Sequence, residues 1–188
     1  MILVLSLASL AVAVSAFLRN VAPRNRIDQS LVDGLVIPER SVLEGYDSDD
    51  RKKLAKHLKA HRLDDQRTLL DLYIRPVLIW NDIIFAVALA TFSASLWLWI
   101  TVCLGLSGWP HGLLLAFAAS AVLYGVFDLA EDITLVRLLG DPDAISEWQG
   151  QVASLLTRLK ALTNGVSLTC AIVFGILLLM TKPKPTRG

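Results

Sequence analysis

Long stretches of this sequence carry no charged residue. Residues Ile2–Leu18 form an uncharged run of 17 positions, and Ile83–Leu106 form another of 24. Hydrophobic residues make up 54% of the chain and charged residues only 19%, with a mean hydropathy of +0.56. Such runs exclude intrinsic disorder and disfavour a water-soluble globule, because they match the length that a helix needs to cross a bilayer. The sequence therefore predicts an all-α, polytopic integral membrane protein.

Cysteine and histidine are scarce, with two and three copies respectively. Cys103 and Cys170 both lie inside apolar runs, so a disulfide framework is not expected. His111 stands alone among the apolar segments, and a haem held between spans would need a facing histidine. The chain has no phosphate loop, no Gly-x-Ser-x-Gly elbow and no His-Glu-x-x-His zinc motif. No cofactor is predicted, and a catalytic role has no positive support.

Charge is concentrated in one segment, residues 19–76. This segment holds 12 of the 18 Lys and Arg residues and 10 of the 17 Asp and Glu residues. The positive-inside rule places it in the cytoplasm and therefore places the N-terminus outside. A net charge of +1 does not indicate nucleic-acid binding. A bacterial inner membrane, which is a cell membrane, is the expected location.

Two short helices are expected within the charged segment. Residues 19–46 are interrupted by proline and glycine and predict a loop. Asp47 or Ser48 is expected to cap a first helix, and a second is expected from about Asp64 to just before Arg75-Pro76. These helices are basic and weakly amphipathic. They suit either contact with an anionic leaflet or a solvated hairpin.

The whole chain divides into five predicted parts, with four transmembrane helices. The first apolar run resembles a signal peptide, but no Lys or Arg precedes it, which favours a retained anchor. Tryptophans are expected in belts at the membrane interfaces, with Trp97, Trp99 and Trp109 outside and Trp80 inside. The predicted parts are a transmembrane anchor at 1–18, a cytoplasmic loop and helical hairpin at 19–76, a transmembrane hairpin at 77–139, an amphipathic helix continuing into the last transmembrane helix at 140–181, and a tail at 182–188.

Four carboxylates flank the central hairpin and form the candidate site. Asp82 precedes the second span, and Asp128, Glu131 and Asp132 follow the third. The two spans are antiparallel, so helical rise places Asp82 and Asp132 at the same membrane face. A carboxylate cannot cheaply face hydrocarbon, which predicts that these groups turn inward. Basic partners are expected nearby, and the candidates are Arg75 and Arg137.

Small residues recur at four-residue spacing along three spans. Small side chains let helices approach closely in lipid, where packing drives association. The spans are therefore predicted to meet along these stripes. The predicted packing positions are Gly112, Ala116 and Ser120 on the third span, Ala86, Ala90 and Ala94 on the second, and Ser167, Ala171 and Gly175 on the fourth.

The carboxylates permit three interpretations. They can fix helix register through ion pairs, form a cation or proton site, or hold a Mg²⁺ or Ca²⁺ ion for lipid chemistry. His57 and His61, with Asp64 or Asp65, have a spacing that suits a metal, although a solvated basic face explains them more simply.

The favoured function is that of a small accessory or scaffold subunit in a membrane protein complex. Its partners would be the lipid bilayer and either another membrane protein or a second copy of the chain. The alternative is a cation- or proton-coupled transporter or channel. A metal-dependent lipid-modifying enzyme is third.

Overall fold

The computed structural model of the protein describes residues 1–32, 35–37, 48–63, 67–141 and 146–180. Within those ranges the fold is all-α, as predicted, and the only strand-like feature is an isolated bridge between Arg62 and Thr68. The elements are α1 (Ile2–Ser30), α2 (Ser48–Ala60), α3 (Leu69–Leu72), a π-helical segment (Tyr73–Asp82), α4 (Ile83–Leu104), α5 (Trp109–Gly140) and α6 (Glu147–Met180).

Four helices are long and apolar enough to span a membrane, which confirms the predicted architecture. The first is α1, and the second is the continuous helix that begins with α3 and ends with α4. The third and fourth are α5 and α6. The last helix, α6, is a single helix of 34 residues. At 1.5 Å per residue α6 is about 51 Å long, whereas the hydrocarbon layer is about 30 Å thick. The helices therefore extend well beyond the apolar layer.

The predicted loop after the first span was wrong at its beginning. Residues 19–30 are helical and belong to α1, with Pro23 inside the helix. Proline removes one backbone donor, but burial of Asn20 and Ile27 against neighbouring elements holds the helix together across it. Of residues 31–46, only 31, 32 and 35–37 are described, and they are not helical.

The start and end predicted for the helix near Asp64 were also wrong. Thr68 is the N-cap, and it exchanges hydrogen bonds with Asp71 in a capping box. The chain continues through Pro76 in wider π-helical turns and then into α4. Proline cannot donate to the carbonyl four residues back, and the wider turns accommodate that gap. Asp64 and Asp65 lie outside the described residues.

The spanning helices pack in a row, with α1 on α4, α4 on α5 and α5 on α6, while α6 also touches α4. Trp97 is fully buried in this layer, its ring stacked on Phe117 at 4.7 Å, and its indole Nε1 donates to the Ser167 hydroxyl at 3.0 Å. Trp97 is therefore not part of an outer aromatic belt, contrary to expectation. Trp109 and Trp80 are exposed, which suits an interfacial position.

A second apolar core lies outside this layer, at the end where α1 and α5 finish and α6 begins. We call this end the charged end. Fully or almost fully buried side chains of that core are Ile27 of α1, Leu54 and Leu58 of α2, Tyr73 of the π-helical segment and Leu135 of α5. The apolar face of α2 therefore packs against protein and not against a leaflet. Arg51, also buried, donates to the Gly150 carbonyl of α6 at 2.9 Å.

The predicted stripes of small residues form the interfaces only in part. Ala86, Ser167 and Ala171 are buried, and Ala90, Ala94, Ser120 and Gly175 are half-buried. Gly112 and Ala116, by contrast, are exposed on α5.

α4 and α5 approach each other closely at Gly125, which the stripe did not include. A Cβ built on Gly125 would lie 3.0 Å from the Ala90 Cβ and 3.7 Å from the Ala86 carbonyl oxygen. Only glycine therefore allows this contact without a shift of the helices.

Replacing Gly125 with leucine is expected to force α4 and α5 apart and lower the free energy of unfolding by about 1–3 kcal/mol. Gly112→Leu is the matched control on the same helix, because a Cβ there would meet nothing within 4 Å. Unfolding in mixed detergent micelles, followed by tryptophan fluorescence, measures both. Equal stability of the two variants would contradict this interface.

Candidate functional site

All four spanning helices contribute polar side chains to one buried group at the charged end. We call it the charge cluster. Its position coincides with the ends of the apolar segments, since Asn20 follows the uncharged run of α1 and Lys160 precedes that of α6. The members are Asn20 and Arg24 of α1, Asp82 before α4, Tyr124, Asp128, Glu131 and Asp132 of α5, and Thr157 and Lys160 of α6.

Asp82 is bound by two side chains of α1. The Arg24 Nη2 atom donates to both carboxylate oxygens, at 2.9 and 2.7 Å, and the Asn20 Nδ2 atom donates to Oδ1 at 2.6 Å. Asp82 and Asn20 are buried and Arg24 is half-buried. A charge-assisted contact of this kind is about twice as strong as one between neutral groups. It fixes the height of α1 against α4.

Lys160 plays the corresponding role between α6 and α5. Its Nζ atom donates to Asp128 Oδ1 at 2.6 Å and forms a second ion pair with Glu131. The Tyr124 hydroxyl donates to the other oxygen of Asp128 at 3.1 Å, and the Thr157 hydroxyl donates to Glu131. Glu131 is fully buried, so its charge depends on these partners.

Asp132 is the least satisfied carboxylate of the cluster. It is 5% exposed, and its Oδ2 atom is buried with no hydrogen-bond partner among the residues that the structure describes. It lies within electrostatic reach of Asp128, Asp82 and Lys160. The cluster thus contains four carboxyl groups and two basic groups, an excess of acid that favours a proton or another cation.

A cavity of about 210 Å³ adjoins the cluster in the gap between α1 and α6. We call this gap the α1–α6 cleft. Its floor includes Tyr124 and Phe85, and its polar lining includes Asn20, Asp128 and Lys160. The rims carry Phe17 of α1 and Ala161 of α6, both exposed. The cavity therefore faces sideways, at the depth where the apolar segments end.

The sequence-predicted carboxylates do come together, but their basic partners differ from those expected. Arg75 and Arg137 are both exposed, and the ion pairs of Asp82 and Asp128 are made instead by Arg24 and Lys160. The prediction for the partners was wrong because a position near the same membrane interface does not bring an exposed side chain into the buried cluster.

Lys160 could have been found from the pattern of α6. Polar or small residues follow one another at alternating three- and four-residue spacing, which marks a single helix face. All of them are at least half-buried. They are Ala153, Thr157, Lys160, Asn164, Ser167 and Ala171.

The residues that the sequence suggested as metal ligands are not brought together as a metal site in the described part of the chain. Throughout the described ranges, no group of three or more His, Cys, Asp or Glu residues is placed to hold a metal ion. The rings of His57 and His61 lie 5.8 Å apart, and the His57 Nε2 atom is 2.8 Å from the Ser30 carbonyl oxygen. A possible third ligand, Asp64 or Asp65, falls outside the described residues.

Comparison of the chain with protein families, with curated proteins and with solved structures found no match. The charge cluster and the cleft are therefore interpreted from their own geometry.

Removing the Lys160 ammonium group should destabilise the protein strongly, because Asp128 and Glu131 would remain buried without a cation. We expect Lys160→Met to lower the free energy of unfolding by about 3–5 kcal/mol, and a second change, Glu131→Gln, to recover part of that loss. Lys53→Met is the control. Lys53 pairs with Asp50 on the surface, with the two side chains 68% and 62% exposed, and such a pair contributes at most about 1 kcal/mol. Equal losses from both lysine variants would refute a stabilising cluster.

Proposed function

We propose that the protein is a non-catalytic accessory or scaffold subunit of a membrane protein complex. It would sit in a cell membrane with its N-terminus outside and its charged end in the cytoplasm. The observation that carries the proposal is the internal pairing of the charge cluster. Arg24 and Lys160 bind three of the four carboxylates, so most of the buried charge is used to join helices to one another.

The packing of the apolar layer supports a role without a solute pathway. Trp97 and Ile100 are fully buried between the charge cluster and the far ends of α4 and α5, and the ring of Phe117 stacks on Trp97. Phe174 of α6 contacts the same indole, with ring centroids 5.9 Å apart. Close-packed aromatic rings leave little room for a hydrated ion to pass.

The outer face of α6 is the most available surface for a partner helix. Only 11% of the apolar window of α6 is buried, compared with 39% for the window that includes α4. Ile172, Val173 and Ile176 lie together on this exposed face. A partner helix that packs here would contact α6 directly. Because side-chain packing drives helix association in lipid, a change in side-chain size on this face should alter the association.

Isolation in native membranes should therefore recover the protein with a stoichiometric membrane partner or with a second copy of itself. Val173→Trp combined with Ile176→Trp should reduce that recovery by about tenfold or more, because the larger rings keep the helices apart. Val122→Trp, on an exposed position of α5, serves as the control and should recover the same amount as the wild type. Quantitative mass spectrometry of the co-purified proteins is the measurement.

A wild-type protein that is recovered as a lone monomer would refute the proposal. Equal loss of partner in the α6 variant and the α5 control would show that the partner does not bind specifically to the outer face of α6.

Cation- or proton-coupled transport is the second candidate, and the excess of carboxyl groups over basic groups favours it. Asp132 in particular carries a buried oxygen without a hydrogen-bond partner in the described part of the chain. The close packing of aromatic rings around Trp97 argues against it, because this packing leaves little room for a hydrated ion to pass through one copy of the protein.

Liposomes that contain the purified protein are accordingly expected to show no proton or sodium flux above that of protein-free liposomes. A pH-sensitive dye and a sodium-sensitive dye inside the vesicles report the two fluxes. A measurable flux that disappears in Asp128→Asn with Asp132→Asn, while the altered protein still folds, would replace the accessory role with transport.

A further inference from the structure

The α1–α6 cleft contains a hydrogen-bond acceptor that the rest of the described chain does not satisfy. Asn20 lines the cavity and is 3% exposed. Its Nδ2 atom is bound to Asp82, which fixes its Oδ1 atom as the free end of the amide. That oxygen has no hydrogen-bond partner among the described residues. Buried acceptors are normally satisfied, so this atom points to a ligand that donates.

The charge around the cleft narrows the chemistry of that ligand. The cavity is lined by two carboxylates, Asp82 and Asp128, and by the two cations that pair with them, Arg24 and Lys160, so its lining has balanced charges. A ligand that fits these surroundings donates a hydrogen bond to Asn20 Oδ1 and carries one positive and one negative charge, as a zwitterion does. A metal ion fits poorly, because no group of three metal-binding side chains is present among the described residues. A primary ammonium group, with three donors and no acceptor, fits well.

The position of the cleft indicates where such a group would come from. Phe17 and Ala161 are exposed at its rims, next to the ends of the uncharged runs, which is the depth of lipid headgroups. Arg24 and Lys160 both line the cavity, and their side chains are 27% and 19% exposed. A phosphate placed beside the ammonium group would meet these two cations.

The size of the cavity agrees with a headgroup. A volume of about 210 Å³ equals that of about seven water molecules at roughly 30 Å³ each. This space suits a small polar group and not an acyl chain, which would stay in the surrounding bilayer.

We propose that the α1–α6 cleft binds the primary ammonium group of a zwitterionic aminophospholipid such as phosphatidylethanolamine. Asn20 and the two carboxylates that line the cavity, Asp82 and Asp128, receive the ammonium group, and Arg24 and Lys160 lie beside the phosphate. The site is independent of the accessory role, since it occupies the gap between α1 and α6 and not the outer face of α6.

Phosphatidylcholine provides a chemical control, because its headgroup has the same charges but its quaternary nitrogen carries no hydrogen. The full-length protein is placed in nanodiscs with equal amounts of the two lipids and identical acyl chains, and native mass spectrometry counts the lipids retained. We expect phosphatidylethanolamine to be retained about tenfold over phosphatidylcholine, the order of magnitude for hydrogen bonding to a charged group.

Substitutions assign the preference to the cleft. Asn20→Ala should abolish it, whereas Asn25→Ala, at an exposed position five residues along α1, should leave it intact. The two lipids are compared on the wild-type protein. This comparison can therefore still contradict the proposal if Asn20→Ala does not fold.

A soluble amine is the other source of the same chemistry. In nanodiscs of phosphatidylcholine alone, thermal stabilisation by ethanolamine but not by choline would support the ammonium site and assign it to a soluble ligand. Equal retention of the two lipids with no response to ethanolamine would overturn the proposal. A lipid preference that persists unchanged in folded Asn20→Ala would overturn it as well.

Discussion

The cost of holding charge beside hydrocarbon is the constraint on which this structure depends. A buried ionised group is tolerated only when an opposite charge and hydrogen bonds surround it. Here the carboxylates of α5 cannot be satisfied by α5 alone, and Asp82 depends on α1. The requirement therefore brings all four spanning helices to one point. The charge cluster sets their relative heights, while the small and aromatic residues of the apolar layer set how closely they approach.

The same constraint explains why the helices do not stop at the membrane boundary. A charge cluster located where the apolar segments end needs protein on its outer side to exclude water. The end of α1, the π-helical segment, α2 and the last turns of α5 supply that protein and build a second apolar core around Tyr73 and Leu58. What the sequence presents as a charged linker is thus largely a packed layer. Its exposed surface carries the lysines and aspartates of α2, and its inner surface covers the cluster.

The sequence was sufficient for the coarse fold and for the burial of the four carboxylates. Uncharged runs identify spans because hydrocarbon tolerates little else, and the inward direction of Asp82 and Asp128 follows from the same rule. The interfaces were harder to predict. A strict four-residue stripe drifts by about 40° per step around a helix of 3.6 residues per turn. The stripe that begins at Gly112 therefore starts on the exposed side of α5, while the buried face follows alternating steps of three and four through Gly125.

The ion-pair partners could not be predicted, because they depend on which helices become neighbours. Arg75 and Arg137 are close to the carboxylates in sequence, but both side chains are exposed. Arg24 and Lys160 are distant in sequence and reach the cluster only because α1 packs on α4 and α6 on α5. Helix length was misjudged for a related reason. Pro23 and Pro76 disfavour a helix locally, but burial of Asn20 and Ile27 on either side of Pro23, and of Tyr73 and Val77 beside Pro76, offsets the lost backbone hydrogen bond.

The arrangement of the helices leaves one side of the charge cluster open, and this openness gives the cluster its functional interest. In a closed four-helix bundle, α1 would pack along α6 and the ion pairs would be sealed. In this row of helices a cavity remains between them, with Asn20 on one wall and Lys160 on the other, and the Asn20 amide oxygen has no hydrogen-bond partner among the described residues. Full burial would need every acceptor paired within the chain. A buried acceptor on a residue that lines a cavity, at the depth of the lipid headgroups, is better explained by a molecule that enters from the membrane than by stability alone.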